Sequence, residues 1–186
     1  GATGRTASPR NTGRYDMSFE TEILSLAERA CTASHSLGSM NTKIKNDWLL
    51  RCAERLELAR DSIREANERD LQAARDKGVA EPLVNRLGLS DGKWGDMIQG
   101  LRDVAALPDP VGLISDFNVR PNGLRVGRMA IPLGVICMIY ESRPNVTVDA
   151  AALCVKAGNA VILRGGSEAF HSNQALGDEL RAAARD

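Results

Sequence analysis

The chain has 186 residues, of which 43% are hydrophobic, enough for one modest domain with a core of its own. Its 24 basic and 24 acidic residues give a formal net charge of zero, so no overall field attracts it to nucleic acid or to a membrane. Aromatic residues make up only 4%, too few for base-stacking platforms, and no apolar run approaches the roughly 20 residues of a transmembrane helix.

Residues 1–16 differ from the rest of the chain. They are rich in glycine, threonine and arginine, contain almost no core-forming residues and do not begin with Met. We predict a disordered tail or a non-native extension ahead of a natural start at Met17. A transit peptide is the alternative, because the segment is rich in arginine and poor in acidic residues, although it lacks an apolar face.

Residues 17–110 are predicted to form a helical segment. Apolar residues recur at helical spacing up to a predicted cap at Asn41, and again from there to Gly78, which ends the block. A shorter helix begins at Ser90 or the next residue and stops before Pro108. The charged residues on the opposite faces of these helices are typical of solvated surfaces rather than of binding patches.

The periodicity changes at residues 111–130. Two β-like runs flank Pro121, Asn122 and Gly123, a sequence typical of a tight turn, so the segment is predicted to be a β-hairpin. A protruding hairpin has no core of its own and needs to pair with something else. We therefore expect it to serve in assembly.

Residues 131–186 follow the order of a nucleotide-binding α/β unit. A β-rich run at 134–140 leads to a polar loop, a helix that reaches Ala157 and a second β-run at 160–163. A last helix begins at about Ser172. The predicted fold class is α/β, a partial Rossmann-like nucleotide-binding domain preceded by long helices and the hairpin. Because parallel sheets are normally covered on both faces and only two strands are present, we expect the unit to be truncated.

Two polar loops follow the carboxyl ends of these strands, where open α/β sheets bind ligands. In residues 164–167, Arg-Gly-Gly-Ser, glycines let a ligand approach the backbone and the arginine suits a phosphate, although an ordinary turn explains the pattern equally well. In the other loop, Asn145 either donates its amide to a developing oxyanion or caps the next helix. Neither a GxGxxG nor a GxxxxGK[ST] motif is present.

The four cysteines are far apart and form no CxxC motif, which argues against a metal site and against a disulfide framework. Cys52, Cys137 and Cys154 lie on apolar faces and are predicted to be buried, inert thiols. A reducing, cytoplasmic location fits this pattern.

The most specific motifs of the chain are YESRPNVTVDAAALC and GNAVILRGG. They closely resemble the γ-glutamyl phosphate reductase family of the aldehyde dehydrogenase superfamily. The resemblance continues upstream through AEPLVNRLGLSDGK and NGLRVGRMAIPLGV, and it identifies the chain as the N-terminal fragment of such an enzyme. Superfamily members use strands like the hairpin in subunit assembly, so the resemblance also implies a homo-oligomer.

The resemblance implies an NADPH-dependent, phosphorylating glutamate-5-semialdehyde dehydrogenase. Such an enzyme converts L-glutamyl 5-phosphate to L-glutamate 5-semialdehyde and phosphate in proline biosynthesis, with glutamate kinase as a partner. In this family a cysteine attacks the acyl phosphate and hydride from NADPH reduces the thioester. That cysteine lies downstream of Asn173 and is absent here, so we expect the fragment to be inactive alone. The alternatives are a non-catalytic oligomerisation fragment and another acyl-phosphate or CoA-linked aldehyde dehydrogenase.

The resemblance also implies roles for individual residues. Asn145 matches a loop asparagine whose amide binds the carbonyl oxygen, and no metal is expected. Ser142 and Arg143 belong to the loop beside the active site, where Arg143 is expected to hold an anionic part of γ-glutamyl phosphate. Arg164 stands where related enzymes place a basic residue against the adenosine ribose and its 2′-phosphate. The cofactor-binding set is Arg164, Gly165, Gly166 and Ser167, although family members often have Lys in place of Ser167.

Overall fold

A computed structural model describes residues 17–185, so the prediction for residues 1–16 lies outside the described part. That part contains seven α-helices: α1 Met17–Gly38, α2 Thr42–Leu58, α3 Arg60–Asp76, α4 Glu81–Leu87, α5 Asp91–Ala106, α6 Asn145–Lys156 and α7 Phe170–Ala182. Its four strands are β1 Ile114–Val119, β2 Arg125–Met129, β3 Val135–Ile139 and β4 Ala160–Arg164. None of these helices combines the length and apolar composition that crossing a membrane requires.

Two helix starts lie where their side chains predict them. The Asn41 carboxamide accepts a hydrogen bond from the Ile44 N–H at 3.0 Å, at the start of α2. Ser90 accepts one from the Lys93 N–H at 3.4 Å and opens α5. Both bonds satisfy N–H groups that a first helical turn leaves without a partner.

The single helical block predicted between Asn41 and Gly78 is divided at Ala59. Here φ is −89° and ψ is 9°, and α3 begins at the next residue. The Ala59 N–H still donates to the Arg55 carbonyl at 2.9 Å, and the Ala59 carbonyl accepts from Ile63 at 3.0 Å. Because the hydrogen bonds continue across the break, the apolar spacing of the sequence shows no interruption.

The short helix α4 was not predicted. Its Val84 and Leu87 are buried against Ala74 of α3 and Ala169 in a small second core. A helix of this length has little stability of its own, so contacts with distant parts of the chain hold it in place.

The main core lies between α2, α5, α6 and α7, with β4 at its border. Its large buried side chains include Leu49, Leu56, Trp94, Met97, Ile98, Leu101, Val148 and Leu176. Burial of each such side chain contributes about 1.5–3 kcal/mol. The four helices therefore form one body that carries the strands.

The predicted hairpin is formed by β1 and β2, which pair antiparallel with Ile114 opposite Met129. Every residue of both strands is exposed. The register shifts between Ser115 and Asn118, and Asp116 has a φ of 52° in this irregular stretch. The pairing is thus held by backbone hydrogen bonds and by contacts within the hairpin.

A buried ion pair fastens the hairpin to the helices. The Lys45 ammonium is fully buried and binds the Asp109 carboxylate at 2.9 Å. Asp109 also accepts hydrogen bonds from the Thr42 hydroxyl at 2.9 Å and from the Val111 N–H, just before β1, at 3.0 Å. Burial disfavours the charged carboxylate, but the bonds from Lys45, Val111 and Thr42 outweigh it and lower the pKa of Asp109.

The predicted α/β unit is confirmed. In the sequence α6 connects β3 to β4, and the two strands pair in parallel.

One prediction in this unit is wrong, since Cys137 is exposed. Alternate residues of β3 point to a face that is exposed, where Ile139 is 74% accessible. Cys52 and Cys154 are buried as predicted, and burial raises the pKa of Cys52 to about 12.

Candidate functional site

The two predicted loops lie side by side at the carboxyl edge of β3 and β4. Ile139 is opposite Arg164, and the Tyr140 N–H donates to the Arg164 carbonyl at 3.1 Å. Beyond the strands, the Ser142 hydroxyl donates to the Glu168 carboxylate at 3.2 Å. The loops are therefore in direct contact.

Both loops line one open cavity of about 530 Å³. Of the seven predicted site residues, four contribute to its lining: Ser142, Arg143, Arg164 and Gly166. The other three, Asn145, Gly165 and Ser167, do not line it. Helix α4 adds Leu83 and Arg86 to the same wall.

The cavity is rich in unpaired positive charge. Within residues 17–185, Arg86, Arg143 and Arg164 have no carboxylate partner, and the Arg164 guanidinium makes only a 3.4 Å bond to the Gly165 carbonyl. The cavity is also lined by two carboxylates, Glu141 and Glu168. Three guanidinium groups against two carboxylates leave the cavity with a net positive charge, which suits an anionic ligand.

The pKa shifts around the cavity follow from these neighbours. The hydrogen bond from its own backbone N–H, and further bonds from the Ser142 and Ser167 hydroxyls, lower the pKa of Glu168 and keep its carboxylate ionised. Burial, and then the positive charge of Arg143, lower the pKa of Lys93. Arg143 therefore lies close enough to α5 for its charge to act there.

Asn145 is the first residue of α6 and not its cap, because the N-cap position belongs to Pro144, which makes no side-chain capping hydrogen bond. The Asn145 Nδ2 donates instead to the Asp149 carboxylate at 3.0 Å, one turn further along the helix. Burial raises the pKa of Asp149, and the bond from Asn145 opposes that rise. A carboxamide carries two N–H donors, so one remains for another acceptor.

Gly165 lies over a polar network that the sequence did not reveal. A Cβ at this position would collide with Nδ2 of Asn173 and lie 3.1 Å from Cζ of Tyr140. The Tyr140 hydroxyl is 2.6 Å from the Thr147 hydroxyl. The Thr147 hydroxyl in turn donates a hydrogen bond to Oδ1 of Asn173 at 3.0 Å. The glycine thus allows the loop to close down on this network.

The start of α7 positions Asn173. The buried Asp70 carboxylate accepts from the Ser172 N–H at 2.8 Å, from its hydroxyl at 2.6 Å and from the His171 N–H at 3.2 Å. This contact caps α7 from a different helix.

Sequence reasoning missed four residues of this region: Arg86, Tyr140, Thr147 and Asn173. Arg86 lies within the AEPLVNRLGLSDGK segment, but no local pattern gave it a role. The other three come together only because α6 and α7 pack beside the strands. Among the described residues, no three His, Cys, Asp or Glu side chains cluster in a way that could hold a metal ion.

The chain is similar in sequence to curated γ-glutamyl phosphate reductases. It is 53% identical over 167 residues to the reductase of Desulfotalea psychrophila and 51% identical over 168 residues to that of Moorella thermoacetica. Each match covers 90% of this chain, and the chain spans about 40% of the length of these relatives. No protein-family model matches the chain.

Solved structures agree with the sequence matches. The crystal structure of γ-glutamyl phosphate reductase from Thermotoga maritima is similar, with a TM-score of 0.84 and 43% identity, over 88% of this chain and 40% of that one. The crystal structure of γ-glutamyl phosphate reductase from Saccharomyces cerevisiae has a TM-score of 0.83 and 34% identity, over 87% of this chain and 41% of that one. A probable aldehyde dehydrogenase from Listeria monocytogenes, at 16% identity and a TM-score of 0.64 over 91% and 35%, shares the fold alone. The predicted resemblance and the predicted fold class are confirmed.

Proposed function

We propose that this chain is part of an NADPH-dependent γ-glutamyl phosphate reductase, which forms L-glutamate 5-semialdehyde and phosphate from L-glutamyl 5-phosphate in proline biosynthesis. The observation that carries the proposal is the contact between two polar loops around one arginine-lined cavity, at the carboxyl ends of parallel strands. The similarity to enzymes named γ-glutamyl phosphate reductase supports the same reaction. The proposal includes a cytoplasmic location and glutamate kinase as the source of the acyl phosphate.

The cavity fits one end of the cofactor. Arg164 offers a guanidinium at a strand end to the 2′-phosphate of NADPH, and Gly166 lines the same cavity. In this proposal Gly165 and Ser167, its neighbours in sequence, complete the cofactor-binding loop. A Cβ on Gly166 would lie 2.7 Å from the Glu168 carboxylate and 3.3 Å from the Ser142 hydroxyl, so the glycine keeps this edge open. Bound NADPH would supply the hydride for the reduction.

The loop after β3 serves the substrate in this proposal. Ser142 and Arg143 hold the anionic part of γ-glutamyl phosphate, and Arg143 is exposed with no carboxylate partner in the described part of the chain. Asn145 donates its free N–H to the carbonyl oxygen as negative charge develops there. The bond to Asp149 fixes the orientation of the amide.

The described cysteines do not supply the nucleophile. Cys52 is buried in the helical core with its pKa raised to about 12, and burial also raises the pKa of Cys154. Neither Cys31 on α1 nor Cys137 on β3 lines the cavity. We propose that the attacking cysteine belongs to the remaining length of the relatives, so that this chain alone has no reductase activity.

The test is NADPH oxidation with γ-glutamyl phosphate, measured for the purified chain and for a chimera. In the chimera, this chain replaces the matching part of the Desulfotalea psychrophila reductase. We expect activity from the chimera and none above background from the chain alone. Turnover by the isolated chain, or a folded but inactive chimera, would refute the corresponding part of the proposal.

Cofactor preference tests the role of Arg164. In the chimera, Arg164→Ala should raise the KM for NADPH about ten- to hundredfold, the value of one lost charge-assisted bond, while the KM for NADH changes little. Arg102→Ala is the matched control, because that arginine pairs with Glu57 on the outer surface. An equal rise for both cofactors after Arg164→Ala contradicts the assignment.

The exposed hairpin favours a second role, in subunit assembly. Ile114, Phe117 and Val119 of β1 are 59–66% exposed although they are large and apolar. We propose that the hairpin pairs with another copy of the chain to form a homo-oligomer. Size-exclusion chromatography with light scattering tests this, and a monomer at high protein concentration would contradict it.

A further inference from the structure

We infer that Arg86 on α4 is a specificity-determining residue, which contacts the 2′-phosphate of the cofactor together with Arg164. The inference rests on the proposed function, which makes the cavity a site for NADPH. It assigns a role to a helix that the sequence did not predict and to an arginine outside both loops.

The position of Arg86 supports the inference. It lines the same cavity as Arg143 and Arg164, and the three come from different elements: α4, the loop after β3 and the end of β4. None of them pairs with a carboxylate in residues 17–185. Several other helix arginines do pair with a carboxylate; Arg102, for example, pairs with Glu57 at 3.3 Å. Three guanidinium groups without a carboxylate partner thus line one cavity.

Helix α4 holds Arg86 in a fixed position. The Lys93 ammonium donates to three carbonyl oxygens at the end of this helix, among them that of Arg86 at 3.2 Å. Buried Asn67 donates to the Leu87 carbonyl at 3.0 Å. Lys93 is thus occupied by the backbone, while the guanidinium of Arg86 is left for a ligand. A group held in place before binding loses less freedom when it binds.

The charge of the cavity explains why a second arginine is needed. Arg164 shares the cavity with the ionised Glu168, and Glu141 adds a further negative charge. A phosphate monoester carries about two negative charges at pH 7, so it needs more positive charge than one guanidinium supplies. Arg86 provides a second planar fork that suits phosphate oxygens. NADH has a hydroxyl in place of this phosphate and gains nothing from it.

The experiment measures, by calorimetry, the affinity of the purified chain for two nucleotides. Adenosine 2′,5′-bisphosphate and adenosine 5′-monophosphate differ only by the 2′-phosphate. We expect the bisphosphate to bind more tightly, and Arg86→Gln to weaken its binding about ten- to hundredfold while the monophosphate is unaffected. Arg86→Lys should restore part of the loss, since it returns the charge without the fork. Arg102→Gln should change neither affinity, and thermal melts check that each variant is folded.

Three results would overturn the inference: no preference for the bisphosphate in the unaltered chain, an equal loss for both nucleotides in Arg86→Gln, or no loss at all. The proposed function fails separately. If the bisphosphate preference depends on Arg86 but the chimera does not reduce γ-glutamyl phosphate, the phosphate site stands and the proposed reaction falls. If the chimera is active and keeps its NADPH preference after Arg86→Gln, only the role of Arg86 falls.

Discussion

The helical core buries its apolar side chains, whereas the hairpin exposes them. Leu49, Leu56 and Leu176 are completely buried between helices, whereas Ile114 and Phe117 of the hairpin are 64% and 59% exposed. The core gains its stability from contacts between distant segments, while the hairpin is held by its own turn and ladder. Free energy of unfolding and surface available to a partner are therefore concentrated in different regions of the same chain.

Breaking the link between the two regions should have the largest effect. We expect Asp109→Ala to lower the free energy of unfolding by about 3–5 kcal/mol, because it leaves the fully buried Lys45 without its counter-ion. Urea denaturation at pH 7 measures the loss. Lys43→Ala is the control, since it removes an exposed ion pair with Asp47 and should cost at most about 1 kcal/mol.

The contribution of Asp109 to the free energy of unfolding should depend on pH. The pKa of Asp109 lies below its ordinary value of 3.8 in the folded chain, so its contribution to stability is present above that pH. It is lost as the pH falls through the lowered pKa and the carboxyl group is protonated. The stabilities of the unaltered chain and Asp109→Ala should converge in that acid range, and a difference that persists there would argue against the ion pair as the cause.

Matched truncations test the contrast between core and hairpin directly. Leu56→Ala should cost about 2–5 kcal/mol, because it leaves a cavity among α2, α5 and their neighbours. Ile114→Ala removes a comparable apolar volume from an exposed position and should change the free energy of unfolding by no more than about 0.5 kcal/mol. Equal losses in urea titrations would mean that the hairpin is packed against the body after all.

Gly165→Ala tests the network beneath the candidate site. The added methyl group would displace Asn173 and crowd Tyr140, so we expect a loss of about 1–3 kcal/mol, measured by thermal and urea unfolding. Gly100→Ala in α5 is the control, since a Cβ there meets no heavy atom within 4 Å. In a helix this control should be neutral or stabilising by about 0.5–1 kcal/mol.

Thiol labelling should show the contrast without altering stability. Cys31 and Cys137 are exposed, so both should react quickly with a disulfide reagent at pH 8. Cys52 and Cys154 are buried with raised pKa values, so they should react only as the chain unfolds. Rapid labelling of all four thiols in the folded chain would contradict this arrangement.

Local signals were sufficient for most of the fold. Asn41 and Ser90 cap the helices they predict, and the turn at residues 121–123 joins the two strands expected there. Helix α4 could not be predicted in this way, because Val84 and Leu87 gain their burial from Ala169, which is distant in sequence. The exposure of Cys137 has a similar cause, since alternation along a strand does not say which face is covered.

The candidate site also has parts that the sequence predicts and parts that depend on packing between distant segments. The contact between the two loops follows from the order of elements, because neighbouring parallel strands end at one edge of a sheet. Arg86 could not be placed there from the sequence, since the position of α4 depends on packing. Asn145 was expected either to cap α6 or to serve an oxyanion. It is the first residue of the helix and follows the N-cap residue Pro144, so it is not the cap, and the oxyanion role remains a proposal.

The two ends of the hairpin are hydrogen-bonded to each other at its base. The Gly112 N–H donates to the Ala130 carbonyl at 2.8 Å, and the Ala130 N–H donates to the Leu113 carbonyl at 2.9 Å. Extra residues inserted at the tip, between Asn122 and Gly123, would therefore lengthen a free end without separating its base. An epitope peptide grafted there would provide a handle for immobilising the chain while the arginine-lined cavity keeps its sequence.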